Sequence, residues 1–307
     1  MENSSKKSAS SSVVTIGTFD GVHIGHQKII ERLISVGKKK HLKSVILTFF
    51  PHPRMVIQPD FEIKLLHTIE ERKKMLKQFG LDELVVKPFT REFSNLSAQE
   101  YVNQVLIDEL KTKHVIIGYD HHFGKNRSAN IDDLRDFGNI LEFEVEEISA
   151  QDIEEVAVSS TKIRQALIDG DLETANTYLG YAYFITGTVI KGKGLGKTIN
   201  FPTANIHIKE NYKLIPKSGV YVVSAQINDV LVDGMMNIGR NPTVNDDNQQ
   251  SIEVNFFNFN ENLYDKELVI NILHRLRDEV KFDSLEALTN QLEKDRIKAK
   301  QFVKNNA

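Results

Sequence analysis

The feature that most narrows the choice of fold is the stretch Val13–Ile30, VVTIGTFDGVHIGHQKII, where a β-branched run meets a glycine-studded loop and then a segment able to form a helix. It reads as strand, phosphate-sized loop and helix. A helix start leaves backbone N–H groups unpaired and carries partial positive charge, so an anion suits the space above it. Gly21 and Gly25 let backbone approach such an occupant. His23 and His26, three residues apart, share a face on a helical turn and could aim both imidazoles at one phosphate. The spacing is not G-x-G-x-x-G, and no Walker lysine follows, which argues against a dinucleotide fingerprint and a P-loop. A surface histidine pair or half of a metal site is the bland alternative.

The same alternation continues. Gln27–Lys40 reads as a helix with Ile29, Ile30, Leu33 and Ile34 on one face, and Ser44–Phe50 as a buried strand. Thr68–Phe79 is predicted helical, Glu83–Lys87 a strand, Ser97–Leu110 a helix and His114–Gly118 a strand. Right-handed βαβ crossovers make this a doubly wound parallel sheet, Rossmann-like, whose ligands sit beyond the carboxyl ends of the strands. At that edge stand His52, between Pro51 and Pro53, and the string Tyr119-Asp120-His121-His122-Phe123-Gly124-Lys125-Asn126-Arg127. Adjacent histidines rarely point the same way and no ligand pattern surrounds them, so a metal at His121/His122 is not expected. Ser159-Ser160-Thr161-Lys162-Ile163-Arg164 opens another helix, where the hydroxyls serve either as caps or beside a phosphate.

Near Tyr181 the pattern changes to short strands: Tyr183–Lys191, Gly219–Ile227, Leu231–Ile238, Ser251–Phe257 and Glu267–Leu276. Their spacing predicts a small antiparallel barrel, followed by a terminal helix over Ser284–Phe302 with Leu285, Leu288, Leu292 and Ile297 as its apolar stripe. Gly192-Lys193-Gly194-Leu195-Gly196-Lys197-Thr198 lacks Walker spacing, and Pro202 interrupts any P-loop helix. A glycine arch over phosphates and a flexible linker both remain open on local grounds. In Ser251–Phe257 the alternation puts Glu253 on the polar face with Ser251 and Asn255.

A chain of 307 residues suits two domains, each with its own core. With no cysteine there is no disulfide framework, thiolate nucleophile or cysteine-ligated zinc. A formal charge of −3, well mixed, argues against a nucleic-acid surface. The polar leader Met1–Ser12 lacks the apolar core of a secretory signal and reads as a disordered tail. No apolar run approaches the ~20 residues that span a bilayer, so no membrane is expected and the location read from the sequence is cytoplasmic.

Taken together, these strings resemble the prokaryotic bifunctional riboflavin kinase/FAD synthetases over nearly the whole chain after the leader. Gly17-Thr18-Phe19-Asp20-Gly21-Val22-His23-Ile24-Gly25-His26 is similar to the H-x-G-H signature of the adenylyltransferase half. The resemblance makes His23 and His26 catalytic and gives nucleotide contacts to Gly17, Phe19, Asp20, Gly21 and Gly25. Ser159, Ser160, Thr161 and Arg164 match the second nucleotide-binding string. His52, Asp120, Phe123 and Arg127 fall on flavin-contact positions, with His121 where phenylalanine is frequent. Gly192, Gly194, Gly196 and Lys197, followed by Phe201-Pro202-Thr203-Ala204-Asn205, resemble riboflavin kinases. Thr203 and Asn205 would then help hold Mg²⁺, for which hard oxygen ligands are suited. Gly219-Val220-Tyr221, Asn237-Ile238-Gly239 and Asn241-Pro242-Thr243 match further family strings.

By the same resemblance Glu253 is the catalytic base and Arg277 a flavin contact, while Asp265 replaces the usual glycine of L-Y-G. The implied enzyme phosphorylates riboflavin with ATP to FMN and adenylylates FMN with ATP to FAD and pyrophosphate. Its partition is a leader at 1–12, the adenylyltransferase at 13–180 and the kinase at 181–307. Two alternatives stand beside it: one active half with the other a scaffold, and a non-catalytic flavin-binding protein.

Overall fold

The computed structural model describes residues 11–58, 60, 62–118, 121–148, 158–192, 194–240 and 250–306, excepting the side chains of Leu195, Lys197 and Arg240. Most of the leader, Asp120, Lys193 and Asn241–Thr243 lie outside these. The chain divides into two compact units, Met1–Ser159 and Ser160–Ala307.

In the first unit the order is β1 (Ser12–Ile16), α1 (Ile24–Lys40), β2 (Lys43–Phe49), α2 (Pro53–Ile57), α3 (Ile69–Gln78), β3 (Glu83–Lys87), α4 (Arg91–Ser94), α5 (Ala98–Tyr101), β4 (Thr112–Gly118), α6 (Ile131–Leu141) and β5 (Glu144–Ile148). The five strands pair in parallel in the order β3-β2-β1-β4-β5. Alternation along each inner strand feeds two cores. Val14, Ile16, Val45, Leu47, Val115 and Ile117 face Val102, Val105, Leu106 and Leu134 on one side. Val13, Ile46 and Ile116 face Ile30, Leu33 and Leu76 of α1 and α3 on the other. Coverage on both faces is what continuous apolar strands require, and the predicted doubly wound sheet is the one found.

One expectation changes in detail, and one strand was not read from the sequence. The helix predicted over Ser97–Leu110 begins with a capping box, Ser97 with Glu100, but passes after Tyr101 into a π-helix over Val102–Glu109. Strand β5, EVEEI, gives no apolar run, because it is an edge strand whose glutamates pair outward: Glu144 with Lys40, Glu146 with Arg32 and Glu147 with Arg135.

The second unit runs α7 (Ser160–Asp169), α8 (Leu172–Leu179), β6 (Phe184–Ile190), α9 (Leu195–Thr198), β7 (Ala204–His207), β8 (Gly219–Ile227), β9 (Val230–Arg240), β10 (Gln250–Phe256), β11 (Glu267–Arg277) and α10 (Leu285–Asn306). Six strands close an antiparallel barrel in the order β10-β7-β6-β11-β8-β9. Closure leaves no sheet edge exposed. Helix α8 is tied to the barrel by Asn176, whose amide nitrogen donates to the Ile272 carbonyl (3.1 Å) and whose amide oxygen accepts the Tyr183 N–H (2.8 Å). Strand β7, only four residues long and directly behind a proline-containing loop, carries too little pattern to be read from sequence. Asp265 holds its turn at a φ of 64°, a left-handed value that favours glycine and that aspartate tolerates.

The apolar stripe of the terminal helix is corrected. Leu285 and Ile297 are exposed, and the inward face of α10 is carried by Leu288, Leu292, Asp295 and Ala299. The observed set keeps a spacing of three and four residues where the expected one steps by five from Leu292 to Ile297; an aspartate in the middle disguised it.

Candidate active sites

The loop after β1 is shaped from beneath. Phe19, Gly21 and Val22 have φ of 45°, 86° and 36°, values that glycine takes freely and a β-branched residue rarely adopts. Burial holds the other two there, since Phe19 and Val22 pack with Ile30, Leu33 and Ile46. Asp20, wholly buried, accepts the backbone N–H of Leu66 (3.0 Å) and of His67 (3.1 Å). Its Oδ1 lies 3.4 Å from the guanidinium of Arg72, also buried, which donates to the Thr18 carbonyl at 2.5 Å. Arg72 carries no sequence signal beyond its place in an amphipathic helix, and only the fold brings it beneath the loop.

The expected shared helical face of His23 and His26 is not the arrangement found. His23 precedes the helix as its N-cap, and its Nδ1 accepts the His26 backbone N–H at 3.4 Å. The two rings instead stack, 3.6 Å between centroids and 17° between planes, and Phe19 lies 4.9 Å from the His26 ring. An accepting Nδ1 leaves the proton of neutral His23 on Nε2. Burial pushes His26 well below the usual imidazole range, and the charges of His23 and Arg72 push it the same way. His26 is therefore neutral in this environment, next to a buried cation, at the start of a helix. An incoming polyphosphate would favour the protonated form of the same ring.

Around this carboxyl edge, His52 caps α2, its Nδ1 accepting the Arg54 N–H at 3.1 Å. Phe123 is buried against Tyr101, with ring centroids 5.7 Å apart, and His121 lies 6.1 Å from Phe123 in a nearly parallel orientation. The imidazole thus keeps the aromatic contact that a phenylalanine there would make. Gly17 closes β1, donating to the Leu47 carbonyl (3.1 Å), while Gly25 is buried in α1 and Arg127 is exposed in a short 3₁₀ turn. Ser159 ends the first unit; Ser160, Thr161 and Arg164 lie in the first turns of α7, in the second.

In the barrel a cavity of about 710 Å³ gathers most of the predicted kinase residues: Gly192, Gly194, Gly196, Thr203, Asn205, Glu253 and Arg277. Glu253 on β10 stands in register between Asn205 on β7 and Asn237 on β9, so three polar side chains form one row across three strands. Its strand neighbours Ile252 and Val254 are buried on the opposite face. Thr203 donates its hydroxyl to Glu253 Oε2 at 3.0 Å.

Two of the three glycines in this segment are required by their neighbours. A Cβ on Gly192 would lie 2.1 Å from the Asn205 amide nitrogen, and one on Gly196 would lie 2.1 Å from the Phe201 carbonyl oxygen. Neither position has room for a side chain, so packing requires both glycines. The Lys197 side chain lies outside the described residues.

Arg277, expected as a flavin contact, reaches the cavity fully braced. Its Nε donates to both oxygens of Asp295 (3.1 and 2.9 Å), one terminal nitrogen donates to Oδ2 (2.6 Å), and the other donates to the Asp278 carbonyl (2.9 Å). Phe282 lies 5.9 Å from the guanidinium, and Leu288 and Leu292 of α10 complete that wall.

Fold and sites define a class: a two-unit transferase of phosphoryl and nucleotidyl groups. Residues 5–162 match the profile of FAD synthetase, and residues 179–303 that of riboflavin kinase. The chain is 40% identical over 284 residues to the bifunctional riboflavin kinase/FMN adenylyltransferase of Listeria monocytogenes serovar 1/2a, covering 92% of this chain and 90% of that one. With the protein of the same description from Bacillus subtilis strain 168 it shares 38% identity over 305 residues, covering 98% and 95%. A solved structure described as a macrolide-efflux protein from Streptococcus pneumoniae superposes with a TM-score of 0.85 at 32% identity, covering 95% of both chains. Among the described residues no helix is long and apolar enough to cross a membrane. The chain belongs to the bifunctional riboflavin kinase/FMN adenylyltransferase family, and it carries both enzymatic domains.

Proposed function

We propose that riboflavin phosphorylation takes place in the barrel cavity, with Glu253 as the base and Thr203 and Asn205 as cation ligands. The observation that carries this is the Thr203–Glu253 hydrogen bond, set in register with Asn205. The carboxylate accepts the proton of the terminal ribityl hydroxyl as that oxygen bonds to the γ-phosphorus and the bond to the β–γ bridging oxygen breaks. The glycine arch gives backbone N–H groups a close approach to the phosphates, and Arg277 orients the flavin ring.

The donor set fits Mg²⁺: a hydroxyl just before β7 and an amide within it supply hard oxygens, leaving the remaining positions to water and phosphate. When bound, the ion neutralises phosphate charge. Among the described residues no cluster of three or more histidines or carboxylates offers a competing all-protein site.

Adenylylation we assign to the loop after β1. The FMN phosphate oxygen attacks the α-phosphorus of ATP and pyrophosphate leaves; the His23/His26 pair and the start of α1 offset the charge on the departing group. Gly17, Phe19, Gly21 and Gly25 give the loop its form, with Asp20 fixing it from inside, and His52, Phe123 and Arg127 are assigned flavin contacts; Ser159, Ser160, Thr161 and Arg164 are assigned to nucleotide by the family string alone. We assign adenylylation to residues 13–180 and the kinase to 181–307, in the cytoplasm where ATP and flavins are at hand, without nucleic acid.

The test is to incubate purified protein with riboflavin, ATP and Mg²⁺, separate FMN from FAD over time, and repeat with EDTA. FMN should appear before FAD. Accumulation of FMN without FAD would leave only the kinase assignment standing, and turnover undiminished by EDTA would remove the metal site.

A further inference from the structure

Asp295 stands where the inward face of α10 should carry an apolar residue, between Leu292 and Ala299, and is 1% exposed. A carboxylate placed there must be matched, because burial of an unpaired charge is strongly unfavourable. The match is one edge of Arg277, held by Nε and one terminal nitrogen, with Gln291 donating to Oδ1 at 2.8 Å from one turn before. Of the five guanidinium N–H groups, these bonds and that to the Asp278 carbonyl occupy three. One N–H on each terminal nitrogen remains uncommitted among the described residues. Arg277 itself lines the cavity beside Phe282, Leu288 and Leu292.

The helix does not depend on this pair for its attachment. Ala299 is fully buried, Phe302 stacks on His274 of β11 at 4.7 Å, and Lys300 lies 5.5 Å from the Phe257 ring. A stripe continued by leucine at this position would hold α10 as well. What the aspartate adds is the direction of Arg277: a bidentate grip fixes both the plane and the rotation of the guanidinium.

We infer that Asp295 is a positioning residue for the kinase reaction, reaching in from the terminal helix to aim the two uncommitted N–H groups of Arg277 at the carbonyl edge of the flavin ring. This rests on the reading of Arg277 as a flavin contact. Because the ring is remote from the reacting hydroxyl, the contact is made equally in the ground and transition states, and its loss raises KM for riboflavin and leaves kcat in place.

The experiment measures riboflavin phosphorylation by the full chain for Asp295→Asn, Arg277→Ala, the two combined, and Arg277→Met with Asp295→Leu. The last removes both charges together, a change that buried pairs often tolerate without loss of stability. Asp295→Asn should raise KM for riboflavin about tenfold, with kcat and KM for ATP within about twofold, and should add less than twofold to Arg277→Ala, since it acts through that residue. The apolar pair should keep the parent melting temperature and still show the raised KM. An unchanged KM in Arg277→Ala would overturn the flavin-contact reading itself. A raised KM there with an unchanged one in Asp295→Asn, or an apolar pair with parental KM, would reduce Asp295 to a structural role. Should the apolar pair not fold, Asp295→Asn decides alone.

Discussion

Thr203 donates its hydroxyl to the carboxylate of Glu253 across 3.0 Å, from the loop before one barrel strand to the middle of another. A candidate metal ligand and a candidate base are therefore linked, and the base is oriented before any substrate arrives. Substituting Glu253→Gln keeps an acceptor for Thr203 and removes the base. Kinase turnover should fall by ~10²-fold, the lower end of the usual range because phosphoryl transfer needs little early proton movement. FAD formation from supplied FMN should stay at the parent rate. Kinase turnover within about threefold of the parent, well short of the general-base range, would take Glu253 out of the mechanism.

The glycines of the arch should differ in their sensitivity. Gly192→Ala places a Cβ 2.1 Å from the Asn205 amide, which must move, whereas at Gly194 nothing lies within 4 Å and only the φ of +73° resists. The second costs about 1–2 kcal/mol of backbone strain; the first displaces a proposed cation ligand. Titrating Mg²⁺ against initial FMN formation should show a raised half-saturation for Gly192→Ala and a near-parental one for Gly194→Ala. Equal values for the two would detach Asn205 from the metal.

Asp20 and Arg72 form a buried pair beneath the adenylylation loop. Asp20→Ala also strands the N–H groups of Leu66 and His67, and breaking such a pair costs about 3–5 kcal/mol. FAD synthesis should be lost while riboflavin phosphorylation persists. If Asp20→Ala instead keeps its thermal stability and raises only KM for ATP, the carboxylate touches nucleotide directly and the structural role assigned to it is wrong.

For His26 the sign of the pH effect follows from its depressed pKa. The unfolded chain takes up a proton near 6.5, roughly the free imidazole value, while the folded ring stays neutral to lower pH. Between those values the unfolded state binds more protons, so stability of the first unit is intact above about 6.5 and declines as pH falls through the window. Pulse proteolysis of the β1–β5 sheet in urea at several pH values should show that decline in the parent and a weaker one in His26→Gln. Parallel curves would mean that another group sets the slope.

His26→Ala should lower FAD synthesis by roughly 10²–10³-fold for a different reason, the loss of a positioned donor, elsewhere worth about 2.7–4 kcal/mol at the transition state. Riboflavin phosphorylation should continue. Equal loss of both activities would point to a general defect in folding.

The layout of both units was legible in the sequence because it rests on local period. Val13–Ile16 and Ser44–Phe49 are apolar enough to be buried on both faces, and the spacing of the later strands suits a small barrel. Short or charged elements such as Ala204–His207 and Glu144–Ile148 escaped, since four residues or an edge position leave too little pattern. The family strings named Glu253, Thr203, Asn205, His23 and His26, and the fold brings the first three into one cavity and stacks the last two.

What sequence could not supply was the pairing of distant groups. Arg72 reaches Asp20 across 52 residues, Asp295 reaches Arg277 across 18, and Gly192 is required by an amide on another segment. Local period says only which face of an element is apolar. An aspartate in an inward stripe, or an arginine on a helix, has no reading until the opposite wall is known. Burial then decides, because a charge taken out of water must find its partner wherever the chain has put it.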